Sequence, residues 1–276
     1  MPSRPTLRRP RSSAPAALTW VLPPRVRRSA LRGRLITRAA GTVLATAIAL
    51  VTALAVPATA GPWPDPRPQG DRMAELLRSV PLPVDGDPSS LTVLVNKQRP
   101  LPLDYVPTTL VPVDDGRIEL RPEAAEALAA LRAAAASSGI TPTLLSGYRS
   151  AARQQEVYDG WVSGMGTPGA DEVSARAGHS EHQTGLAVDL GSSTRPECDL
   201  SPCFADTVEA AWLTAHAEDY GFVIRYTAEN QARTGYRPEG WHLRYVGPEL
   251  ITELRTRHAT SLEQLYGAPG GPHYGP

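Results

Sequence analysis

Beyond residue 90 the apolar positions of the chain come in short bursts, separated by glycine, proline and small polar residues, and each burst reads as one element. Leu91 to Asn96 alternates and predicts a first strand. The run Leu101-Pro102-Leu103-Asp104-Tyr105-Val106-Pro107 is too rich in proline for regular structure and is expected to wrap over the surface. Arg121-Pro122-Glu123 opens a helix, with proline near its first turn and an acid at the positive end of its dipole. The alanine-rich body runs to about Ser137, and Gly139 ends it. Ile140 to Leu145 predicts a strand, and Ser150 can cap a second helix to about Trp161. Gly164 to Ala177 is expected as a loop long enough to form a rim or lid. Leu186 to Leu190 is the central strand. A helix starting at Asp206 or Thr207 passes Ala215 and stops at Gly221, and Phe222 to Tyr226 is a short strand. Thr227 to Pro238 reads as a hairpin loop or bulge, Gly240 to Val246 as a strand, Pro248 to about His258 as a helix, and Ser261 to Tyr266 as a terminal turn. Glycine and proline dominate residues 267–276, which are expected to be disordered. Strands mixed with separated helices predict an α+β domain with a small, mostly antiparallel sheet and flanking helices.

Composition changes this picture at the N-terminal end. The chain carries 28 basic and 28 acidic side chains, but residues 1–60 hold ten Arg and no Asp or Glu. The remainder therefore has 18 basic against 28 acidic groups, a net of −10. An acidic domain argues against a nucleic-acid partner, because phosphate binding needs a basic footprint. Arg25 to Arg38 precede an uncharged run from Ala39 to Val56, followed by Pro57 and Ala58-Thr59-Ala60. Basic flank, apolar stretch and small-x-small site are the parts of a secretory signal, expected over 1–60 with cleavage after Ala60. An uncleaved N-terminal membrane anchor is the competing reading, since 18 residues approach the length of a bilayer span. Residues 61–90 are expected as a Pro-rich linker with a short amphipathic turn around Met73 to Leu77, and 91–266 as one domain. In an exported protein Cys198 and Cys203, close together in a Pro-containing loop, read as a disulfide, with a pair of free thiols as the alternative. Nothing in the sequence indicates a protein partner, so a monomer is expected.

The candidate chemistry sits in Gly178-His179-Ser180-Glu181-His182-Gln183-Thr184-Gly185-Leu186-Ala187-Val188-Asp189-Leu190, a polar loop that runs into a short apolar strand. Imidazole nitrogen and carboxylate oxygen suit a borderline cation such as zinc, and a hydrolytic zinc takes three such ligands and keeps one position for water. His182 and Asp189 can supply two. The segment Glu239-Gly240-Trp241-His242 is the obvious donor of the third, His242, and makes Glu239 a candidate general base. Positions 239 and 242 cannot face one site from a regular strand, so a break near Gly240 is required.

Ser180-x-His182-x-x-Gly185-x-Ala187-x-Asp189, followed by Glu239-x-x-His242 and preceded by Ser146-Gly147-Tyr148-Arg149-Ser150, resembles the VanY-type D-alanyl-D-alanine carboxypeptidases of the LAS group of zinc peptidases. The similarity runs from about Leu91 to about Tyr266. It implies a Zn2+ held by His182, Asp189 and His242, with His179 left to the rim because only His182 has the family's spacing to Asp189. It also implies Glu239 and Arg149 as catalytic groups, and Gln154, Ser180 and Tyr148 as substrate contacts. Arg149 has two candidate jobs, at the negative oxygen of the intermediate or on a substrate carboxylate. The activity implied is removal of the terminal D-Ala from peptidoglycan stem peptides outside the cytoplasm. A peptidoglycan endopeptidase, a D,D-dipeptidase, an L,D-carboxypeptidase and a noncatalytic zinc-stabilised binding module are the rivals.

Overall fold

The computed structural model describes residues 69–114 and 116–275, so the expected export signal and the first part of the linker lie outside the described residues. Among the described residues no helix is long and apolar enough to cross a membrane. The elements are helix α1 (Gln69–Ser79), strands β1 (Val111–Val113) and β2 (Ile118–Leu120), α2 (Pro122–Ser137), β3 (Thr143–Ser146), α3 (Ala151–Val173), β4 (Ala187–Gly191), α4 (Val208–His216), β5 (Phe222–Tyr226), the single turn α5 (Gln231–Thr234), β6 (Glu239–Tyr245), α6 (Gly247–Arg257) and the turn α7 (Leu262–Leu265). β1 and β2 form a separate hairpin, and the main sheet has the order β3-β4-β6-β5 with every neighbour antiparallel. This is an α+β fold with a small antiparallel sheet and flanking helices.

The period of a strand decides which face of the sheet carries chemistry. Val188 and Leu190 of β4 and Leu243 of β6 enter the main core, and Asp189 and His242, directly paired across the two strands, point to the opposite face. The core face is closed by α2, whose buried Ala124, Leu128, Leu131 and Ala135 recur at spacings of four and three. It is also closed by α4 through Ala210 and Leu213. Truncating fully buried Leu131 or Leu190 to Ala costs about 2–5 kcal/mol. α4 begins where the Thr207 side chain accepts the Ala210 N–H at 3.1 Å. A second core joins Leu250, Ile251 and Leu254 of α6 to Leu262, Leu265 and Tyr266, with Leu94 filling it from the preceding segment. Cys198 and Cys203 are joined by a disulfide.

Five segments differ from the sequence expectation. Residues 91–96 do not form a strand: Leu91 and Thr92 lie in a turn, and Asn96 makes only an isolated bridge to Arg99. Val93, Leu94 and Val95 are all buried, which gives no alternation, and the Leu91 and Val93 carbonyls accept from the Arg244 guanidinium at 3.0 and 2.9 Å instead of from a neighbouring strand. Gly164 to Ala177 is mostly helical, because α3 continues to Val173 across a break at Gly166 (φ 75°, ψ 166°). Pro168 then falls in the first turn of the second piece, where its missing N–H leaves no hydrogen bond unmade. The Tyr158 hydroxyl donates to Asp171 at 2.7 Å and ties the two pieces together. The β1–β2 hairpin was not expected, and the short turn expected around Met73 to Leu77 is part of a longer helix, Gln69–Ser79. Residues 267–275, expected to be disordered, lie against the domain. Gly275 N–H donates to the Lys97 carbonyl at 3.1 Å, and the Lys97 ammonium donates to the Pro272 carbonyl at 3.1 Å.

Candidate metal centre and catalytic site

The chain brings His182, Asp189 and His242 together from three places. His182 sits in a 3-10 turn, Glu181–Thr184, which Gly185 closes in the left-handed conformation (φ 69°) immediately before β4. Asp189 lies on β4 and His242 opposite it on β6. One donor atom from each lies within 4.8 Å of the others, and all three side chains are buried.

Their hydrogen bonds show which atoms face the common centre. His182 Nδ1 is 2.7 Å from the Gly147 carbonyl, which can only accept, so Nδ1 carries the proton and Nε2 turns its lone pair to Asp189 Oδ2 at 3.1 Å. His242 Nε2 is 3.3 Å from Glu181 Oε2, which leaves Nδ1 facing Asp189 Oδ1 at 3.0 Å. Two imidazoles oriented from behind by oxygen acceptors, with a carboxylate between them, form the arrangement that zinc ligands show. Nε2 of His182, Nδ1 of His242 and the Asp189 carboxylate converge there, the nitrogen and oxygen donors that suit a borderline divalent cation. Burial pushes the His182 imidazole down despite Asp189, which favours the neutral ligand form. Burial would also lower His242, but Asp189 and Glu181 outweigh it and raise it to about 10. Burial alone would raise the Asp189 carboxyl, yet the two imidazoles hold it well below the usual range. The donor set fits a zinc ion.

Glu239 enters the same cleft by way of a bulge. Ile224 pairs with Leu243 and Tyr226 with Glu239, so residues 240–242 of β6 oppose only Arg225. The extra residues reset the alternation and turn the side chains at 239 and 242 toward one cavity. Burial pushes the Glu239 carboxyl up to about 8, against the pull of His242 and Arg149. Such a group can take and return a proton near neutral pH.

Arg149 follows β3, and its backbone N–H donates to the His182 carbonyl at 3.1 Å. Its Nη1 donates to Gln154 Oε1 at 2.8 Å, and its Nη2 lies 3.9 Å from Asp189 Oδ2. Gln154 is held in turn by the Ala175 carbonyl, which accepts from Nε2 at 2.6 Å. Arg149, Gln154, Ser180, Glu239 and the two histidines line one small cavity of about 70 Å3, walled further by Tyr226 and Tyr236. Tyr148 does not line it; its N–H donates to the Glu119 carbonyl, and burial and Glu119 raise its phenol. His179 is turned away as well, its Nδ1 2.9 Å from the Asn96 carbonyl.

Sequence reasoning missed Glu181. Its carboxylate is fully buried; Oε1 accepts from Arg225 Nε at 2.9 Å and Arg244 Nη1 at 3.0 Å, while Oε2 faces His242. Arg225 is also forked onto Glu263 at 2.6 and 3.0 Å. Burial would raise the Glu181 carboxyl, but the two guanidiniums hold it far below the usual range. A signal existed, because Phe222-Val223-Ile224-Arg225-Tyr226 and His242-Leu243-Arg244-Tyr245 each place an arginine inside a short apolar strand. Buried arginine demands an acidic partner.

Residues 117–248 match the family model described as VanY, D-alanyl-D-alanine carboxypeptidase. The putative carboxypeptidase YodJ of Bacillus subtilis (strain 168) is 38% identical over 188 residues, which span 65% of this chain and 68% of that protein. The structure of the LdcB LD-carboxypeptidase superposes with a TM-score of 0.60 at 36% identity, covering 69% of this chain and 94% of that one. A mutant of the vancomycin-resistance D,D-pentapeptidase VanY in complex with Zn(II) superposes with a TM-score of 0.55 at 30% identity, covering 65% and 99%.

Proposed function

The chain belongs to the VanY family of D-alanyl-D-alanine carboxypeptidases, and from that premise we propose that it is an extracytoplasmic, zinc-dependent D,D-carboxypeptidase that removes the terminal D-Ala from peptidoglycan stem peptides. The observation that carries this reading is the convergence of His182, His242, Glu239 and Arg149 on one small cavity, with Asp189 set against both histidines and Arg149. The export pattern in residues 1–60 supports action on the wall.

Bound by His182, Asp189 and His242, zinc supplies Lewis acidity that polarises a carbonyl and acidifies water. Gly147 and Glu181 hold the two imidazoles in the tautomers that ligation needs. Glu239, buried in the same cavity beside His242, accepts the proton of the attacking water and returns it to the leaving amine. Arg149, pinned by Gln154 and placed against Asp189, offers Nη2 to negative charge developing on the scissile carbonyl. Tyr226 and Tyr236 form the far wall.

The 36% identity with the LdcB LD-carboxypeptidase favours, as a second reading, release of D-Ala from a tetrapeptide stem. Release of D-Ala by the full chain from stem pentapeptide and tetrapeptide, with chelator and after zinc restoration, tests both. Metal-dependent release from the pentapeptide is expected. Release from the tetrapeptide alone would assign the L,D reading. No release from either substrate with zinc bound would refute the carboxypeptidase reading and leave the endopeptidase or binding-module rivals.

A further inference from the structure

We propose that Tyr274 is a positioning residue for the substrate cleft, acting on both of its walls from the C-terminal segment 268–275. The proposal deepens the carboxypeptidase reading and rests on it for the meaning of the cleft.

The segment is laid along the backbone that carries Tyr236. A Cβ added at Gly271 would lie 2.4 Å from the Cα of Gly235, and one at Gly270 would lie 2.1 Å from the Arg233 carbonyl oxygen. Only glycine allows that approach. Lys97, the single lysine of the chain, fastens the pair: its buried ammonium donates to the carbonyls of Gly235 at 2.7 Å and Pro272 at 3.1 Å and lies 4.5 Å from the Tyr236 ring centroid. Asn96 Nδ2 donates to the Pro269 carbonyl at 3.2 Å, so the segment is held along its length.

Tyr274 then reaches two separate walls with one hydroxyl. It accepts the backbone N–H of Arg176 at 3.0 Å, and it shares a hydrogen bond with the Tyr236 hydroxyl at 3.2 Å. Its ring lies 4.1 Å from the Arg176 guanidinium and meets His179 edge-on at 4.8 Å. The Arg176 side follows directly from Ser174 and Ala175, which line the cavity and bond Gln154, the partner of Arg149. On the other side Tyr236 packs against Tyr226 at 4.9 Å, and Tyr226 stacks on His242 at 5.1 Å. Tyr274 touches neither the cation ligands nor the cavity itself. Its two hydrogen bonds fix the distance between the Arg149–Gln154 wall and the Tyr236–Tyr226 wall, and hence the shape offered to the peptide.

The test compares the full chain with Tyr274→Phe, which keeps the ring and loses both hydrogen bonds, and with Gly271→Ala, which lifts the segment without altering Tyr274. Steady-state D-Ala release from the stem pentapeptide is measured beside zinc content and local hydrogen exchange. The expected result in both variants is a KM raised roughly 5- to 30-fold, the equivalent of one or two hydrogen bonds, with kcat within about threefold and zinc content unchanged. Backbone exchange is expected to accelerate at 174–177 and 234–237. Unchanged KM, or unchanged exchange at either wall, overturns the proposal. A wild-type chain that releases nothing contradicts the carboxypeptidase reading instead, and the exchange measurement then decides the positioning role by itself.

Discussion

Glu181→Gln separates the electrostatic support of His242 from the support of the fold. The change preserves shape and removes one buried negative charge. Arg225 keeps its fork on Glu263 at 2.6 and 3.0 Å, but Arg244 loses its carboxylate partner and retains only the carbonyls of Leu91, Val93 and Tyr245. Breaking one arm of a buried ion pair costs about 3–5 kcal/mol, and the surviving carbonyl contacts place the cost near the lower end. For a domain of this size roughly 3 kcal/mol lowers Tm by about 6–12 °C. His242 also loses the anion behind Nε2, so the lone pair on Nδ1 is less basic and the ring less firmly oriented. Zinc affinity is expected to fall roughly 10- to 100-fold, the usual effect of removing a partner behind a metal ligand. The assay is competition for zinc with a chromophoric chelator, with Glu263→Gln as the control. That second variant removes the charged fork on Arg225 but leaves its 2.9 Å bond to Glu181 and the 3.3 Å Glu181–His242 contact in place, so it should lower Tm without weakening zinc binding. Equal zinc affinity in Glu181→Gln and wild type would refute the reasoning.

Glu239→Gln should retain zinc and lose about 10²–10⁴-fold in kcat, checked by metal content beside D-Ala release; substantial turnover would remove Glu239 from the reaction. Arg149→Ala should lower kcat about 10²–10³-fold with little change in KM if it serves the developing oxyanion. A raised KM with kcat preserved would instead make it the clamp for the substrate carboxylate. Burial would raise the Glu263 carboxyl, but Arg225 holds it below its ordinary 4.5. A depressed folded-state value contributes stability that is present above about pH 4.5 and lost as the pH falls below it. Denaturant midpoints of wild type should therefore drop between pH 5 and 3, and Glu263→Gln should show a shallower decline over the same window.

Much of the fold follows from local pattern, and the reasons are visible element by element. Pro122, the leucine and alanine spacing and Gly139 delimit α2 because helix ends and buried stripes are decided within a few residues. Thr207 and Gly221 bound the next helical stretch in the same way, and Phe222–Tyr226 is short, apolar and β-branched. Where local cues and tertiary partners disagree, the partners prevail. Leu91 to Asn96 has strand residues, but its carbonyls are taken by Arg244, about 150 positions away. Residues 267–275 have a disordered composition, yet Lys97 and Tyr236 give them enough contacts to lie in one place.

For the site, the sequence by itself supplied the candidate ligands and base, because the His182-to-Asp189 and Glu239-to-His242 spacings, read against the pattern of the family the chain resembles, are properties of the chain. The tertiary structure decided which way those groups face and what stands behind them. The β6 bulge turns Glu239 and His242 into one cavity, the Gly147 carbonyl chooses the lone pair of His182, and Glu181 holds His242 while neutralised by two arginines. None of these can be read along the chain, because a buried charge or a chosen tautomer has a definite energy only when distant partners have excluded water around it.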